Sequence, residues 1–135
     1  MVSATSQAAE LGARTRFAVE SDAHLLVSVH NNAFPEGVNP SRAEGTSTYH
    51  FHPFAGTLAR LLNEEILAAT RLRDLGHRVG NFAIVRPTWF PAVLTESVFM
   101  PVPQQEAALR DPGFLQRLAE AHAAGLERFV RTVAR

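Results

Sequence analysis

Apolar positions along the chain fall into two kinds of spacing. Three short runs, LLVSV at 25–29, NFAIV at 81–85 and PAVL at 91–94, are nearly continuous and are bounded by turn-forming residues. Such runs predict strands covered on both faces, as in a parallel sheet. TSTYHFH at 46–52 alternates β-forming and polar residues instead, and predicts a further strand. Elsewhere the spacing is that of a helix. Phe54, Leu58, Leu61, Leu62, Ile66 and Ala69 recur on one side, with Arg60, Asn63 and Glu64 between them. This predicts an amphipathic helix that stops before Asp74-Leu75-Gly76.

Residues 7–20 read as a further helix, weakened by Gly12 and broken near Ser21-Asp22. Residues 31–45, dense in Asn, Gly and Pro, read as a loop, and a loop leaving a strand end is a common place for a site. After the proline-containing stretch 100–103, residues 104–110 suit a short helix. Asp111 is then an N-cap and Pro112 the first residue of a last helix, which carries Phe114, Leu115, Leu118, Leu126, Phe129, Val130 and Val133 on one face. Strands interleaved with long amphipathic helices predict an α/β domain: a largely parallel sheet flanked by helices.

Composition narrows the function. The 135 residues are 46% hydrophobic, enough for one core. Thirteen basic residues balance thirteen acidic ones, which leaves no electrostatic case for nucleic acid or an anionic membrane. No run approaches the roughly 20 apolar residues of a membrane-spanning helix. The N-terminal residues have no basic region followed by an apolar core, so no signal peptide is visible. With no cysteine, any metal must be held by His, Asp or Glu.

Two strand predictions end in groups capable of catalysis, Val29-His30 and Leu94-Thr95-Glu96. In open parallel sheets ligands bind beyond the carboxyl ends of strands. Each residue also has a plain structural reading. His30 would be a hydrogen-bonded histidine at a strand end, and Glu96 would cap a helix or pair with Arg86. Ser28 lies in no Gly-x-Ser-x-Gly elbow and has no placed acidic partner, which argues against a serine hydrolase.

The flanking words add to this. LLVSVHNNAF, GTSTYHF, NFAIVRPTWFPAVLTESVF and QQEAALRDPGF, in that order, resemble the zinc-dependent N-acetylmuramoyl-L-alanine amidases of bacterial cell walls. That family carries a strand with Ser-Ile-His-Ala-Asn-Ala, matched by Ser28, His30, Asn32 and Ala33. A later strand with Pro-Ala-Val-Leu-Val-Glu and a Gly-Phe is matched by Pro91, Ala92, Val93, Leu94, Glu96 and Phe99. Arg14 fits the arginine on the helix before the first of these strands. The resemblance implies that His30 is a zinc ligand and Glu96, across a cleft from it, the catalytic carboxylate. Asn31 and Asn32 would orient the site or bind substrate. The implied reaction is hydrolysis of the amide between N-acetylmuramic acid and the L-alanine of the peptidoglycan stem peptide, in the periplasm or outside the cell.

The resemblance also implies what is missing. The family holds zinc with a histidine in Gly-His-Gly-Gly, a glutamate further on, and the histidine matched by His30. This sequence has no Gly-His-Gly-Gly, and Glu10 and Glu20 fall in the wrong part of the pattern. Residues 1–135 are therefore expected to be the C-terminal portion of a catalytic domain, a truncated form without the first β-α-β unit and with one zinc ligand of three. An exposed sheet edge would then favour self-association. A catalytically inactive fragment or cell-wall-binding remnant is the alternative. His50 and His52, if both on a strand, would share a face able to bind metal. His24 and His77, the latter in a loop, should face solvent, and His122 should be packed or hydrogen-bonded. Thr95 and Ser97-Val98 depart from the family's valine and Leu-Gly, and Trp89-Phe90 would line a groove or pack.

Overall fold

The computed structural model describes residues 11–34 and 44–134. Residues 7–10 of the first predicted helix, Glu10 included, and 35–43 of the predicted loop lie outside the described residues. Helix α1 (Leu11–Glu20) leads to strand β1 (Leu26–Asn32). Strand β2 (Thr46–His50), helix α2 (Gly56–Thr70), strand β3 (Asp74–Val79) and strand β4 (Ala92–Phe99) follow. A short helix α3 (Pro103–Ala108) and the long helix α4 (Pro112–Val133) complete the fold.

The strands form one sheet in the order β1-β4-β2-β3. The β1–β4 and β2–β3 pairs are parallel and the central β4–β2 pair is antiparallel, so the sheet is largely parallel but mixed. The α/β prediction holds, with two corrections to its elements. Residues 81–85 are not a strand: Ala83–Val85 is a 3-10 turn whose Ile84 and Val85 pack against Ala18, Phe90, Ala92 and Leu94. The third strand is instead Asp74–Val79, and His77 lies on it, exposed, rather than in a loop.

Helices α2 and α4 cover one face of the sheet. Leu58, Leu62 and Ile66, four residues apart on α2, meet Leu118, Ala121 and Phe129 of α4 and Val93 and Val98 of β4. The two helices approach closely at Gly125, where an added Cβ would stand 3.0 Å from the Leu62 Cα. Asp111 caps α4 by accepting from the backbone N–H of Gly113 (3.0 Å) and Phe114 (3.2 Å), as its place before Pro112 predicts. Outside this contact, Arg128 of α4 pairs with Glu64 (2.8 Å) and Glu65 (2.6 Å) of α2. Helix α1 and the 83–90 segment cover part of the opposite face, burying Ala18, Ile84, Phe90, Ala92 and Leu94 with Leu26 and Tyr49.

Candidate active site

His30 and Glu96 are register partners on the adjoining strands β1 and β4. They are neighbours in one sheet rather than opposite walls of a cleft. Neither ends its strand, since β1 runs on to Asn32 and β4 to Phe99. The antiparallel pairing sets Ser47 of β2 opposite Glu96, and Ser47 pairs in turn with Gly76 of β3. One row thus crosses the sheet as His30, Glu96, Ser47 and Gly76. Paired residues project to the same face, which is the face α1 packs on: Leu26, two pleats before Ser28 and His30, belongs to that core, as does Leu94 two before Glu96. Gly76 ends the row in the left-handed region (φ 87°), a conformation that favours glycine, with no side chain over the sheet.

Just beyond the row the pairing slips. From His30 to Asn32 β1 advances two residues, while β4 advances three from Glu96 to Phe99. The extra residue is a β-bulge, a feature common beside active sites. It explains why Thr95 and Val98, three apart, both face the helices: Thr95 bonds to His122 of α4, and Val98 packs in the core with Phe114.

Buried polar atoms without partners gather here. Among the described residues the unpartnered buried side-chain atoms are Glu96 Oε2, Ser47 Oγ, Ser97 Oγ, Asn31 Oδ1 and Asn63 Oδ1. All but the last belong to the row or stand next to a member of it. Such groups are expensive to leave unpaired, and two of them, Glu96 Oε2 and Ser47 Oγ, stand in the row beside His30. Burial alone raises the Glu96 carboxyl to about 6. His30 is lowered from its ordinary value, first by burial and second by the positive charge of Arg14 on α1. Its Nε2 lies 2.8 Å from the Ser28 hydroxyl.

The other sequence candidates separate cleanly. Asn32 Oδ1 accepts from the Ala33 N–H (2.9 Å), which leaves its amide hydrogens for other partners. Strand alternation turns Asn31 to the face opposite His30. Arg86 bonds Asn81 (2.8 Å) and not Glu96. His50 and His52 do not form a shared metal face, because β2 ends at His50; the His50 ring bonds the His52 carbonyl (3.1 Å) and the His52 ring bonds the Arg86 carbonyl (2.8 Å). His24 is exposed. His122 is buried, its Nδ1–H donating to the Leu118 carbonyl (2.8 Å) and its Nε2 accepting from the Thr95 hydroxyl (3.0 Å). Phe90 packs in the core, whereas Trp89 is 74% exposed beside a shallow groove with Val19 and Pro87.

A structural zinc needs four donors and a catalytic one three from the protein. Among the described residues no group of three His, Asp or Glu side chains comes together. His30 and Glu96 do not make such a set by themselves. Ser47 was not found by reading the sequence, because a serine in an alternating strand carries no signal until the register places it beside Glu96.

Residues 1–128 match the family described as N-acetylmuramoyl-L-alanine amidase. The N-acetylmuramoyl-L-alanine amidase CwlM of Bacillus licheniformis is 33% identical over 134 residues, which cover 95% of this chain and 49% of that protein. The sporulation-specific N-acetylmuramoyl-L-alanine amidase of Bacillus subtilis is 30% identical over 133 residues, 94% of this chain and 49% of that one. Among solved structures, the catalytic domain of the amidase CwlV from Bacillus (Paenibacillus) polymyxa matches with a TM-score of 0.81 at 33% identity, covering 90% of this chain and 66% of that chain. An N-acetylmuramoyl-L-alanine amidase from Clostridium difficile 630 matches with a TM-score of 0.82 at 28% identity, with the same coverage of 90% and 66%. The chain spans about half the length of the curated relatives it matches.

Proposed function

The chain belongs to the N-acetylmuramoyl-L-alanine amidase family, and from that premise we propose that it serves peptidoglycan hydrolysis, at the amide joining N-acetylmuramic acid to the L-alanine of the stem peptide. The observation that carries this reading is Glu96: a carboxylate with a buried, unpartnered oxygen, raised by burial to about 6, one strand from an imidazole. A general base works best when its pKa lies near the working pH. Glu96 takes a proton from the attacking water and returns it to the leaving amine. Asn32 offers its free amide hydrogens to substrate, and Asn31 orients the strand end beside His30. The action is at the wall, outside the cytoplasmic membrane; no helix among the described residues is long and apolar enough to cross a membrane.

His30 is our candidate metal ligand, and zinc the metal, because neutral imidazole suits it and burial with Arg14 favours the neutral ring. One imidazole does not complete a zinc site, so no step of the reaction is derived through the metal. That incomplete donor set favours the second reading, a form of the fold that binds cell-wall peptide without cleaving it. Strand β1, at a sheet edge among the described strands and with Val29 60% exposed, is where we place self-association.

Zinc content of the purified, metal-reconstituted chain and release of new amino termini from peptidoglycan test both readings together. The amidase reading expects bound zinc that is lost in His30→Ala. It also expects turnover that falls by about 10²–10⁴-fold in Glu96→Gln with zinc retained. Near wild-type turnover in Glu96→Gln would refute the catalytic assignment. Peptidoglycan binding without new amino termini would establish the second reading.

A further inference from the structure

Ser47 stands in the row beside Glu96 but has no part in the reaction described so far. It is fully buried, and its hydroxyl has no hydrogen-bond partner among the described residues. Its neighbours on β2 differ. Thr46 donates to the Ser97 carbonyl (2.8 Å) and Thr48 to the Ala59 carbonyl of α2 (2.9 Å). Ser47, between them on an alternating strand, faces the other side with Glu96. Directly opposed antiparallel residues hold their Cβ atoms about 5 Å apart, so the hydroxyl and the carboxylate belong to neighbouring positions on one face.

Two buried polar atoms lie side by side there, neither bonded to the other. An ionised carboxylate only accepts hydrogen bonds, whereas a serine hydroxyl also donates. A group that both donates and accepts satisfies the two together, and an amide does so with its N–H and its carbonyl. Resting on the amidase reading above, we propose that Ser47 is a substrate-binding residue whose hydroxyl donates to the carbonyl of a stem-peptide amide while Glu96 faces the same amide's nitrogen. This arrangement brings the nitrogen to the carboxyl group that returns its proton. It also accounts for why β2 keeps a fully buried hydroxyl that has no partner among the described residues.

The test uses Ser47→Ala and Ser47→Cys, the second preserving volume with only a weak donor. Affinity for N-acetylmuramoyl-L-alanyl-D-isoglutamine is measured by calorimetry, and Tm for each chain by thermal unfolding. Both variants are expected to lose affinity by about tenfold, the effect of about 1.4 kcal/mol. Ser47→Ala is expected to raise Tm by about 2 °C, because it removes an unsatisfied buried hydroxyl. A serine with a structural role would lower Tm instead, and a fall of several degrees overturns the proposal. Wild-type affinity in either variant overturns it as well, while leaving the amidase reading in place. A wild-type chain that binds no muropeptide overturns the amidase reading and the role of Ser47 with it.

Discussion

The two faces of this sheet treat polar groups in opposite ways. On the face packed by α2 and α4, each buried hydroxyl of β2 and β4 that points to the helices is bonded. Thr48 reaches Ala59, and Thr95 is joined to His122, which is itself tied to Leu118. On the face shared with α1, Glu96 Oε2 and Ser47 Oγ are buried and have no hydrogen-bond partner among the described residues. Glu96 and His30 are only partly buried, while Thr48 and Thr95 on the helical side are fully buried. The difference lies in the central-strand side chains: Thr48 and Thr95 are bonded into the helices, whereas Ser47 Oγ and Glu96 Oε2 are left without partners among the described residues.

The largest effect should come from the helix-packed face. Leu62 is fully buried where α4 crosses α2. Leu62→Ala is expected to cost about 2–5 kcal/mol in urea unfolding, because the packed helices cannot collapse onto the cavity. A loss below about 1 kcal/mol would mean that this face is looser than its packing implies.

Next is the buried polar pair. Thr95→Val strands the His122 Nε2 as an unpaired acceptor and should cost about 1–3 kcal/mol. Adding His122→Leu should recover much of that loss, since an apolar pair leaves nothing unpaired. If the double variant is as unstable as the sum of the two single ones, the pair is not a self-contained unit.

The open face should respond with the opposite sign. The Glu96 carboxyl is raised from 4.5 to about 6 by burial. Below the lower value it is protonated in both the folded and unfolded chain and imposes no penalty. The penalty grows as pH rises through about 6 and is complete above it. The shift corresponds to at most about 2 kcal/mol, and partial solvent exposure reduces the expected figure to about 1 kcal/mol. In the metal-free chain, Glu96→Gln should therefore match wild type near about pH 4 and exceed its stability by about 1 kcal/mol near about pH 8. Equal stability at both pH values would remove the contrast between the faces. The smallest effect is expected from Arg131→Ala, which breaks an exposed pair with Glu127 (3.2 Å) and should cost less than about 0.5 kcal/mol.

The sequence revealed most where a single periodicity decided the outcome. Helices α2 and α4 follow from apolar residues on one side, and the start of α4 from Asp111-Pro112. Strand β3 escaped notice because it lies at a sheet edge, with Leu75 only partly buried and Val79 71% exposed, so no apolar run advertises it. Residues 81–85 misled for the converse reason: Ile84 and Val85 are buried from outside the sheet, in a 3-10 turn packed with Ala18. His30 and Glu96 were legible as reactive residues following apolar runs, and the register then made them neighbours. Ser47 and the bulge were not legible at all, because both depend on which strands pair and in what alignment.

The extra residue between Glu96 and Phe99 has a consequence for how this segment tolerates change. It reverses the inside–outside parity of β4, so positions before it and positions after it obey opposite rules. A substitution at Ser97 alters one side chain. A single-residue deletion there would restore simple alternation, with Val98 still on the helical face two residues from Thr95 and Phe99 still opposite Asn32. Elsewhere in β4 the loss of one residue would flip every side chain beyond it to the other face, so the bulge is the one place in this strand where a gap leaves the core residues where they are.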